Sequence, residues 1–299
     1  MNELINTKQQ DSMAAWYAVF VLLLAYVLSF VDRIILSLLV TPIKEDLGTT
    51  DAQMGLLMGF AFAIFYTIAG IPIAKYSDVK SRKMIIAIGI FLWSIMTAVC
   101  GLARSFFQLF LARVGVGVGE AALTPAAYSM ISDYFSEEKL GRAMAVYKSG
   151  AMFGGGLAFI IGGAVVGYVV NSDSIILPFL GEMKPWQMAF IIVGLPGVLI
   201  GLLMLTVKEP SRTGVADTLD KKVSISDAIK YMQKRWRIYL FIFLGFAFMA
   251  APISSALTWI PVYLQRIHEM SIPESGRTLG IIIFFLSSSG VLVSGWLID

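Results

Sequence analysis

The chain has 299 residues, of which 58% are hydrophobic and 14% charged, with a mean hydropathy of +0.79 and a formal net charge of +3. Soluble domains contain about 45–50% apolar and about 25% charged residues, so this chain has too few charged side chains to cover a water-facing surface. The composition excludes a soluble enzyme, a disordered chain and a nucleic-acid-binding protein. The single cysteine, Cys100, and the single histidine, His268, exclude a disulfide framework and a cysteine- or histidine-based metal site. The sequence therefore predicts an integral membrane protein.

Eight stretches of the chain are apolar over about 20 residues, the length that an α-helix needs to cross a bilayer. Because lipid offers the backbone no hydrogen-bond partners, each stretch is predicted to be a transmembrane helix. We call them span 1 to span 8, and in chain order they cover 14–40, 54–74, 84–103, 106–131, 143–170, 188–207, 238–264 and 279–298. Span 1 is too long for a cleaved signal peptide, and no cleavage site precedes a soluble body.

The distribution of basic residues predicts which side of the membrane each loop faces, because cytoplasmic loops carry an excess of lysine and arginine. With the N-terminus inside, fifteen of the 23 basic residues lie on the cytoplasmic side and five lie on the other side. Eight of the fifteen belong to the loop 208–237. The sequence therefore predicts a multi-pass protein of the plasma (inner) membrane with a cytoplasmic N-terminus.

The loop 208–237 is the longest polar segment of the chain and follows the sixth span. Its second half, 221–236, has the pattern of a short amphipathic helix on the cytoplasmic face, and a solvated linker fits the same residues equally well. The predicted domains are a six-helix bundle over 1–207, this linker, and the start of a second bundle over 238–299.

The region after the linker repeats features of the beginning of the chain. A shift of 221 residues brings spans 1 and 7 into register and aligns three pairs of identical residues: Gly55 with Gly276, Gly59 with Gly280, and Asp78 with Asp299. Such a shift indicates two parallel six-helix halves, which is a known transporter plan. Since the second half contains only two predicted helices here, we expect a full protein of twelve helices, and a natural eight-helix protein is the alternative.

Residues in four regions resemble the major facilitator superfamily. They are Asp32-Arg33 in span 1, Asp78, Arg82 and Lys83 in the loop after span 2, Arg113 and Glu120 with the glycines between them in span 4, and Trp186, Gly194, Pro196 and Gly197 in span 6. The chain departs from the usual patterns at Ala74, Val79 and Ser81 in the loop, at Gln187, and at Gly154-Gly155-Gly156 in span 5. Taken together, the motifs resemble the Spinster branch of the superfamily over nearly the whole chain.

This resemblance implies an all-α integral membrane protein with the major facilitator fold, in which spans 1 and 4 line a central cavity. It also implies proton-linked export or exchange of a lipid-like amphiphile, such as a sphingosine phosphate or a lysophospholipid, by alternating access. The expected partners are this small amphiphilic or anionic substrate and membrane lipids, with no nucleic acid, and the expected state is a monomer. No enzymatic activity and no cofactor are expected, with the proton as the coupling ion.

Five charged residues fall inside the predicted spans: Asp32, Arg33, Arg113, Glu120 and Lys148. A charge at mid-bilayer costs about 2.5–3.5 kcal/mol on insertion scales, so each of them must face protein or water. Arg33 shares a helical stripe with Tyr26 and Ser37, which suits a cavity, whereas the stripe of Asp32 is apolar. Asp32 is therefore a candidate proton carrier, and a fixed ion pair of Asp32 with Arg33 or Arg113 is the alternative.

Glu120 lies about 10 Å from Arg113 along the axis of span 4, which is too far for an ion pair. In the arrangement that the resemblance implies, its partner is Arg33. The hypothesis is a charge switch, in which deprotonated Glu120 and Asp32 hold Arg33, and protonation frees the guanidinium for an anionic headgroup. The predicted substrate site also includes Arg113, Tyr26, Ser37, Thr124, Tyr128 and Lys148. Lys148 fits equally well as a lysine that snorkels to the membrane surface.

The loops on the predicted cytoplasmic side contain a candidate gate, composed of Asp78, Arg82, Lys83, Asp133 and Arg142. In the superfamily such residues keep the inner side closed through ion pairs and helix-end contacts. Exposed ion pairs contribute only about 0–1 kcal/mol each, which suits a latch that opens in every cycle. The alternative, a simple signal of membrane topology, explains Lys75, Lys80 and Lys83 well but does not explain Asp78.

Three alternative functions remain open. A symporter or exporter of small organic anions also fits the Asp32-Arg33 pair. A small polar pocket favours that alternative, whereas a cavity lined by Phe, Met and Leu with an opening toward lipid favours an amphiphile. A membrane enzyme needs a nucleophile, a base and a metal near one interface, and a channel needs a continuous polar path. An ATP-driven pump is disfavoured, because the chain contains no GxxxxGK[ST] motif.

Overall fold

The computed structural model describes residues 11–170, 175–177, 181–212 and 225–287, and most of them are helical. The helices are α1 (Met13–Leu38), α2 (Val40–Leu47), α3 (Asp51–Gly55), α4 (Ala61–Ser77), α5 (Arg82–Cys100), α6 (Phe106–Glu120), α7 (Leu123–Tyr134), α8 (Glu137–Val170), α9 (Pro185–Thr206), α10 (Ile225–Lys234), α11 (Trp236–Ile267) and α12 (Ile272–Ile282). A π-helical turn at Leu56–Phe60 continues α3 into α4, and another at Ile283–Ser287 follows α12. Two short strands, β1 (Ile175–Leu177) and β2 (Gly181–Met183), pair antiparallel with Ile176 opposite Glu182.

Among the described residues, seven helical segments are long and apolar enough to cross a membrane. They are Met13–Leu38, Asp51–Ser77, Arg82–Cys100, Phe106–Tyr134, Glu137–Val169, Pro185–Thr206 and Trp236–Ile267. These segments coincide with spans 1 to 7, whose helical structure is thereby confirmed. Of span 8, residues 279–287 are helical, and the remainder lies outside the described residues.

The structure divides span 4 into α6 and α7, whereas span 1 corresponds to α1 and ends at the first residue of α2. Helix α6 ends at Glu120, and Ala121 and Ala122 form a turn before α7 begins at Leu123. Pro125 lies in the first turn of α7 and has no N–H to donate to the carbonyl four residues earlier, so a regular helix is interrupted there. The break leaves Glu120 as the last residue of α6.

The described residues fall into two compact units. The first contains 11–210 and 261–287, and the second contains 211–260. In the first unit α1 packs along α8, α5 packs against both α6 and α9, and α12 packs against α8. Helices α5 and α6 approach closely, since a Cβ added to Gly119 would lie 2.6 Å from the backbone nitrogen of Trp93. The first unit therefore supplies a tightly packed frame for the charged residues of α1 and α6.

The two ends of the first unit carry different loops. One end, called the basic end below, gathers the start of α1, the α4–α5 loop, the junction of α7 with α8, and the residues after α9. There the Asp11 N–H donates to the carbonyl of Tyr134 (3.0 Å). At the other end, called the opposite end, the indole of Trp186 at the start of α9 donates to Asp46 of α2 (2.8 Å). The basic end carries the loops that the charge distribution predicts to be cytoplasmic.

The second unit consists of α10 and the first part of α11. The predicted amphipathic segment 221–236 is helical over 225–234, where it forms α10. Residues 221–224 of the segment lie outside the described residues. Ile229 and Met232 share one face of α10 at helical spacing, and Lys230 and Lys234 share another. All four side chains are exposed.

Candidate functional site

An ion pair between α1 and α6 lies inside the first unit. Arg33 donates from Nε to Oε2 of Glu120 (2.7 Å), and its Nη2 donates to the same oxygen. The side chain of Glu120 is fully buried, whereas that of Arg33 is 32% exposed. The pairing of Arg33 with Glu120, which the family resemblance implied, is present in the structure. One edge of the Arg33 guanidinium therefore contacts a buried carboxylate, and part of the Arg33 side chain remains exposed.

The end of α6 and the close packing of α4 together position this pair. Glu120 is the last residue of α6. One turn earlier, a Cβ added to Gly117 would lie 2.7 Å from the carbonyl oxygen of Phe62, so only a glycine lets α4 come this near. The approach brings the Phe62 ring to the guanidinium, with 4.6 Å between the ring centroid and Cζ of Arg33.

Three aromatic rings surround the guanidinium of Arg33 and are called the aromatic collar. Cζ of Arg33 lies 4.6 Å from the ring centroid of Phe62, 5.4 Å from that of Phe30 and 5.6 Å from that of Tyr66. Each such cation–π contact contributes about 0.5–2 kcal/mol. Sequence reasoning missed the collar. Its only signal in the sequence is helical spacing: Tyr66 follows Phe62 by four residues, and Arg33 follows Phe30 by three. Aromatic residues in any membrane helix can show the same spacing.

Asp32 lies in a different environment from Arg33. Its side chain is fully buried, and Nη1 of Arg113 donates to its backbone carbonyl (3.1 Å). Within the described part of the chain neither Arg33 nor Arg113 forms an ion pair with the Asp32 carboxylate. The fixed ion pair that the sequence offered as an alternative role for Asp32 is therefore not formed in this conformation.

Polar atoms of α1, α5 and α6 are buried around Asp32. Those that make no hydrogen bond within the described residues include both carboxylate oxygens of Asp32, Nε of Arg113, Oε1 of Glu120, and the side-chain polar atoms of Trp93, Ser94 and Thr97. Buried polar groups are nearly always hydrogen-bonded, and each exception needs an explanation. The interior of the bundle thus keeps donors and acceptors available beside two carboxyl groups.

Four of the other predicted site residues form a second group around Tyr147. The ring of Tyr26 stacks on that of Tyr147 at 4.9 Å, and the ring of Tyr128 meets Tyr147 edge-on at 5.6 Å. Nζ of Lys148 lies 5.7 Å from the centroid of Tyr128. Thr124, half-buried on α7, lies beside the Tyr147 hydroxyl. Helices α1, α7 and α8 therefore bring together residues that the sequence could place only one by one.

Ser37 does not share this arrangement. The sequence placed it on the polar stripe of Arg33, but its side chain is buried, with 3% exposure. Its hydroxyl donates to the carbonyl of Ile34 one turn earlier in the same helix (2.7 Å). Serine hydroxyls in helices commonly bind a preceding carbonyl in this way, so the prediction that Ser37 faces the substrate is not met in this conformation.

A charged cluster at the basic end is centred on Arg82 and is called the Arg82 cluster. The guanidinium donates to Asp133, to the carbonyl of Ser129 (3.1 Å) and to the carbonyl of Pro210 (2.9 Å). The backbone N–H and Nε of Arg82 donate to Glu209 (2.7 and 3.4 Å). The side chain of Arg82 is 1% exposed and that of Asp133 is 8% exposed. Removing one partner of such a buried pair costs about 3–5 kcal/mol.

The predicted gate is therefore divided. Arg82 and Asp133 are not the weak exposed latch that the sequence predicted, because α7 and the residues after α9 cover them. Lys83 is half-buried and donates to a carbonyl near the end of α9 (3.3 Å). The side chains of Asp78 and Arg142 are exposed.

Glu209 is a member of the Arg82 cluster that sequence analysis missed. It follows α9 in a polar stretch, where nothing in the local pattern distinguishes it from a solvated linker residue. Burial raises the pKa of Glu209, but the hydrogen bonds that it accepts from Ser81 and Arg82 outweigh burial and hold its pKa below the usual value. The ionised form of Glu209 is therefore favoured by the fold.

At the opposite end, polar contacts join the beginning of the chain to the end of α11. Arg266 donates from Nη1 and Nη2 to the two carboxylate oxygens of Asp51 (2.9 and 2.8 Å), and Lys44 donates to Asp51 as well (2.6 Å). Gln265 donates to the carbonyl of Leu38 (3.3 Å). Lys44 and Arg266 are two of the five basic residues that the charge distribution places on the non-cytoplasmic side. The side chains of the Asp51–Arg266 pair are 46% and 38% exposed, so this contact is weak enough to open.

The described part of the chain contains no group of three His, Cys, Asp or Glu side chains that could hold a metal ion. A groove of about 330 Å³ between α5 and α6 is lined by apolar residues such as Leu102 and Leu111. It contains none of the charged residues described above. The Arg33–Glu120 pair and its aromatic surroundings are therefore the candidate functional site.

Intramembrane charges on α1 and α6 and a packed six-helix frame are features of a known family. The sequence profile described as Major Facilitator Superfamily matches residues 22–299. The chain belongs to the major facilitator superfamily. Members of this superfamily are multi-pass membrane transporters rather than enzymes. The recognition of the family from Asp32-Arg33, Arg82 and Glu120 is confirmed.

Among solved structures, the chain is similar to a bacterial homologue of the human lysosomal transporter Spinster in an inward-facing, unoccupied conformation. The match has a TM-score of 0.80 and 32% identity, and it covers 96% of this chain and 63% of that chain. The predicted resemblance to the Spinster branch is thereby confirmed.

Two relatives extend the comparison. An MFS-type efflux pump of Mycolicibacterium smegmatis is 32% identical over 297 residues, which are 95% of this chain and 62% of the relative. A probable L-galactonate transporter of Escherichia coli K12 is 26% identical over 293 residues, 94% of this chain and 61% of the relative. The chain thus spans about three fifths of the length of the relatives it matches.

Proposed function

We propose that the protein containing this chain is a proton-coupled secondary transporter of an amphiphile with an anionic or zwitterionic head, working by alternating access. The observation that carries the proposal is the Arg33–Glu120 pair, in which a partly exposed guanidinium rests on a fully buried carboxylate. A cation that meets open space on one side and a titratable group on the other can exchange a carboxylate partner for a substrate anion.

The first step of the proposed cycle takes place at Glu120. While Glu120 is ionised, two nitrogens of Arg33 donate to it. A proton on Glu120 cancels its charge and reduces a charge-assisted contact to an ordinary hydrogen bond. The guanidinium then becomes available to an anionic head. By linkage, an anion bound to Arg33 favours protonated Glu120 to the same extent.

Asp32 is the second protonation site of the proposal. It lies one residue before Arg33, is fully buried, and forms no ion pair with Arg33 or Arg113 in the described residues. Because adjacent helix positions point about 100° apart, Asp32 and Arg33 serve different sides of α1. We assign Asp32 to proton transfer and Arg33 to the substrate.

The aromatic collar supports an amphiphilic cargo. Phe30, Phe62 and Tyr66 offer apolar ring surface within 6 Å of the cation that would hold the head. This combination suits a molecule in which a charged head adjoins an apolar chain. The likeness to a relative described as the sphingosine-1-phosphate transporter SPNS2 of Mus musculus, 28% identical over 252 residues, supports such a cargo.

A second candidate function is transport of small organic acids. It is supported by the relative described as a probable L-galactonate transporter. The tyrosine hydroxyls near the site, on Tyr26, Tyr66 and Tyr128, could bind the hydroxyl groups of such an acid. The two candidates share the Arg33 subsite and differ in whether an apolar chain is needed.

The proposal extends to location and assembly. The basic end is assigned to the cytoplasm and the protein to the plasma (inner) membrane, following the excess of lysine and arginine on that side. A monomer is the proposed working unit, because a single chain supplies Arg33, Glu120 and the whole aromatic collar.

The test is transport by the full-length protein in proteoliposomes under an imposed pH gradient. The cargo panel contains lysophosphatidylcholine, sphingosine phosphate and galactonate, and the variants are Glu120→Gln and, as a matched control, Glu137→Gln at an exposed position of α8. We expect gradient-dependent transport of the amphiphiles by the wild type and Glu137→Gln, and loss of the gradient dependence in Glu120→Gln. Transport of galactonate alone would overturn the amphiphile assignment. Unchanged gradient dependence in Glu120→Gln would overturn the switch.

A further inference from the structure

We propose that Lys148 is a second anion-binding subsite, and that four aromatic rings connect it to Arg33 as a track for an anionic head that carries an apolar chain. The track is called the aromatic ladder, and its rings are Phe30, Tyr26, Tyr147 and Tyr128. The inference rests on the proposed function, because it extends the substrate site beyond Arg33.

The ladder begins at the guanidinium and descends along α1. Cζ of Arg33 lies 5.4 Å from the ring centroid of Phe30, and the rings of Phe30 and Tyr26 meet at 5.3 Å. The ring of Tyr26 then stacks on that of Tyr147, with 4.9 Å between centroids and 17° between planes. Contact thus passes from α1 to α8 through two nearly parallel rings.

The second half of the ladder crosses to α7 and ends at a cation. Tyr128 meets Tyr147 edge-on, with 5.6 Å between ring centroids and 84° between planes. Nζ of Lys148 lies 5.7 Å from the centroid of Tyr128. Each of the five steps is therefore shorter than 6 Å, and four rings stand between the two cations.

The two cations lie at different depths. The starts of α1 and α8 meet at the basic end, where Asp11 accepts hydrogen bonds from Ser136. At 1.5 Å per residue, Lys148 is about 16 Å along α8 from that end and Arg33 is about 30 Å along α1. The ladder therefore leads from a subsite nearer the basic end to the deeper Arg33–Glu120 pair.

The two subsites also differ in charge compensation. Arg33 is held by Glu120, whereas no carboxylate pairs with Lys148 among the described residues, and its side chain is exposed. Lys148 therefore attracts an anion whether or not a proton is present, and Arg33 accepts one only after Glu120 is neutralised. An ammonium with three rotatable donors suits a first capture, while the planar guanidinium suits the defined final position.

Tyr147 forms the packed middle of the ladder. Its side chain is fully buried, and Thr124 lies beside its hydroxyl. The rings of Tyr26 and Tyr128 on either side offer apolar surface to the chain that follows the head.

The binding test uses calorimetry on the full-length protein, with lysophosphatidic acid as the probe and inorganic phosphate and galactonate as probes that lack an apolar chain. We expect Lys148→Gln to weaken lysophosphatidic acid binding about tenfold and Lys148→Arg to restore most of it. Lys139→Gln is the matched control, because Lys139 lies on the same helix and pairs with Asp11 instead. Wild-type affinity in Lys148→Gln would overturn the second subsite. Equal affinity for phosphate and lysophosphatidic acid would overturn the role of the ladder in holding a chain.

The ladder itself is tested at Tyr128. We expect Tyr128→Leu to weaken lysophosphatidic acid binding several-fold and Tyr128→Phe to retain it, because the ring rather than the hydroxyl carries the contact with Lys148. Equal binding by the two variants would contradict the ladder. Size-exclusion profiles of both variants report whether either change affects folding.

Transport separates this inference from the proposed function. In Lys148→Gln we expect the KM for lysophosphatidic acid to rise about tenfold, while kcat and the dependence on the pH gradient stay at the wild-type level because Glu120 is intact. A wild type that binds the probe through Lys148 but transports nothing under the gradient would refute the proposed function and leave the subsite standing. A Lys148→Gln variant that loses only its gradient dependence would refute the subsite.

Discussion

Arg33 and Arg82 both bind carboxylates inside the first unit, but they differ in exposure and in the number of their hydrogen-bond partners. Arg82 is 1% exposed and donates to Asp133, Glu209 and two backbone carbonyls, so every side of the guanidinium has a polar partner. Arg33 is 32% exposed and donates to a single carboxylate oxygen, and aromatic rings cover much of the remainder.

The difference shows how one residue type serves two purposes. A buried guanidinium whose donors are all hydrogen-bonded is held in place, because any displacement leaves several buried polar groups without hydrogen-bond partners. A guanidinium with one partner and ring faces around it can leave that partner at little cost, since the rings still attract the cation. Arg82 therefore fixes the frame at the basic end, and Arg33 is the arginine that can exchange partners.

The largest expected effect is on stability at the basic end. Asp133→Asn removes one of the two carboxylates that pair with buried Arg82, so we expect the free energy of unfolding to fall by about 3–5 kcal/mol. Thermal unfolding of the detergent-solubilised full-length protein measures this, with Glu137→Gln as a control that should leave the unfolding temperature unchanged. A wild-type unfolding temperature in Asp133→Asn would refute the fixed role of Arg82.

A smaller effect is expected from acid, through Glu209. The folded pKa of Glu209 lies below the unfolded value of about 4.3. Its contribution is therefore present above that unfolded value and is lost as pH falls through the folded pKa. We expect Glu209→Gln to be less stable than wild type at pH 6, and the difference in unfolding temperature to shrink below pH 4. A difference that stays constant across this range would contradict the assignment.

A still smaller effect on stability is expected at Arg33. Glu120→Gln leaves an amide oxygen that still accepts from Arg33, and the partly exposed guanidinium keeps access to open space, so we expect a loss of less than about 1 kcal/mol. The same unfolding measurement, compared directly with Asp133→Asn, gives the contrast. Equal losses in the two variants would mean that both arginines are fixed, which would remove the basis of the switch.

The smallest effect is expected at the opposite end. The Asp51–Arg266 pair is exposed and worth about 0–1 kcal/mol, so Arg266→Gln should shift the balance between open and closed forms by at most about fivefold. The measurement is the labelling rate of a cysteine introduced by Thr41→Cys in a Cys100→Ala background, which should rise. Arg277→Gln serves as the control on α12, and an equal rise there would show that charge alone is responsible.

The parts of the fold and site that the sequence predicted depend on rules that act locally or on any membrane protein. Spans 1 to 7 follow from apolar length, and the Arg33–Glu120 pair follows from the need of intramembrane charges to find partners together with the family resemblance. Phe62, Tyr66 and Glu209 could not be assigned, because their roles come from contacts between distant segments. A phenylalanine at 62 looks the same in the sequence whether it faces lipid or a guanidinium.

The errors have a common physical cause. The gate prediction treated Arg82 and Asp133 as exposed because they border loops, but a loop position does not show which helices cover it. Ser37 was assigned to the cavity from its stripe, although a serine hydroxyl can turn to its own backbone. The break after Glu120 did have a signal in Pro125, whose missing N–H marks the place.

The geometry at Glu120 has a consequence for the order of events. Both donating nitrogens of Arg33 converge on Oε2, and Oε1 makes no hydrogen bond within the described residues. An incoming proton can therefore settle on Oε1 while the arginine is still docked. Neutralisation then comes before departure, and the two groups never have to separate as bare opposite charges in a medium where such a separation is most expensive.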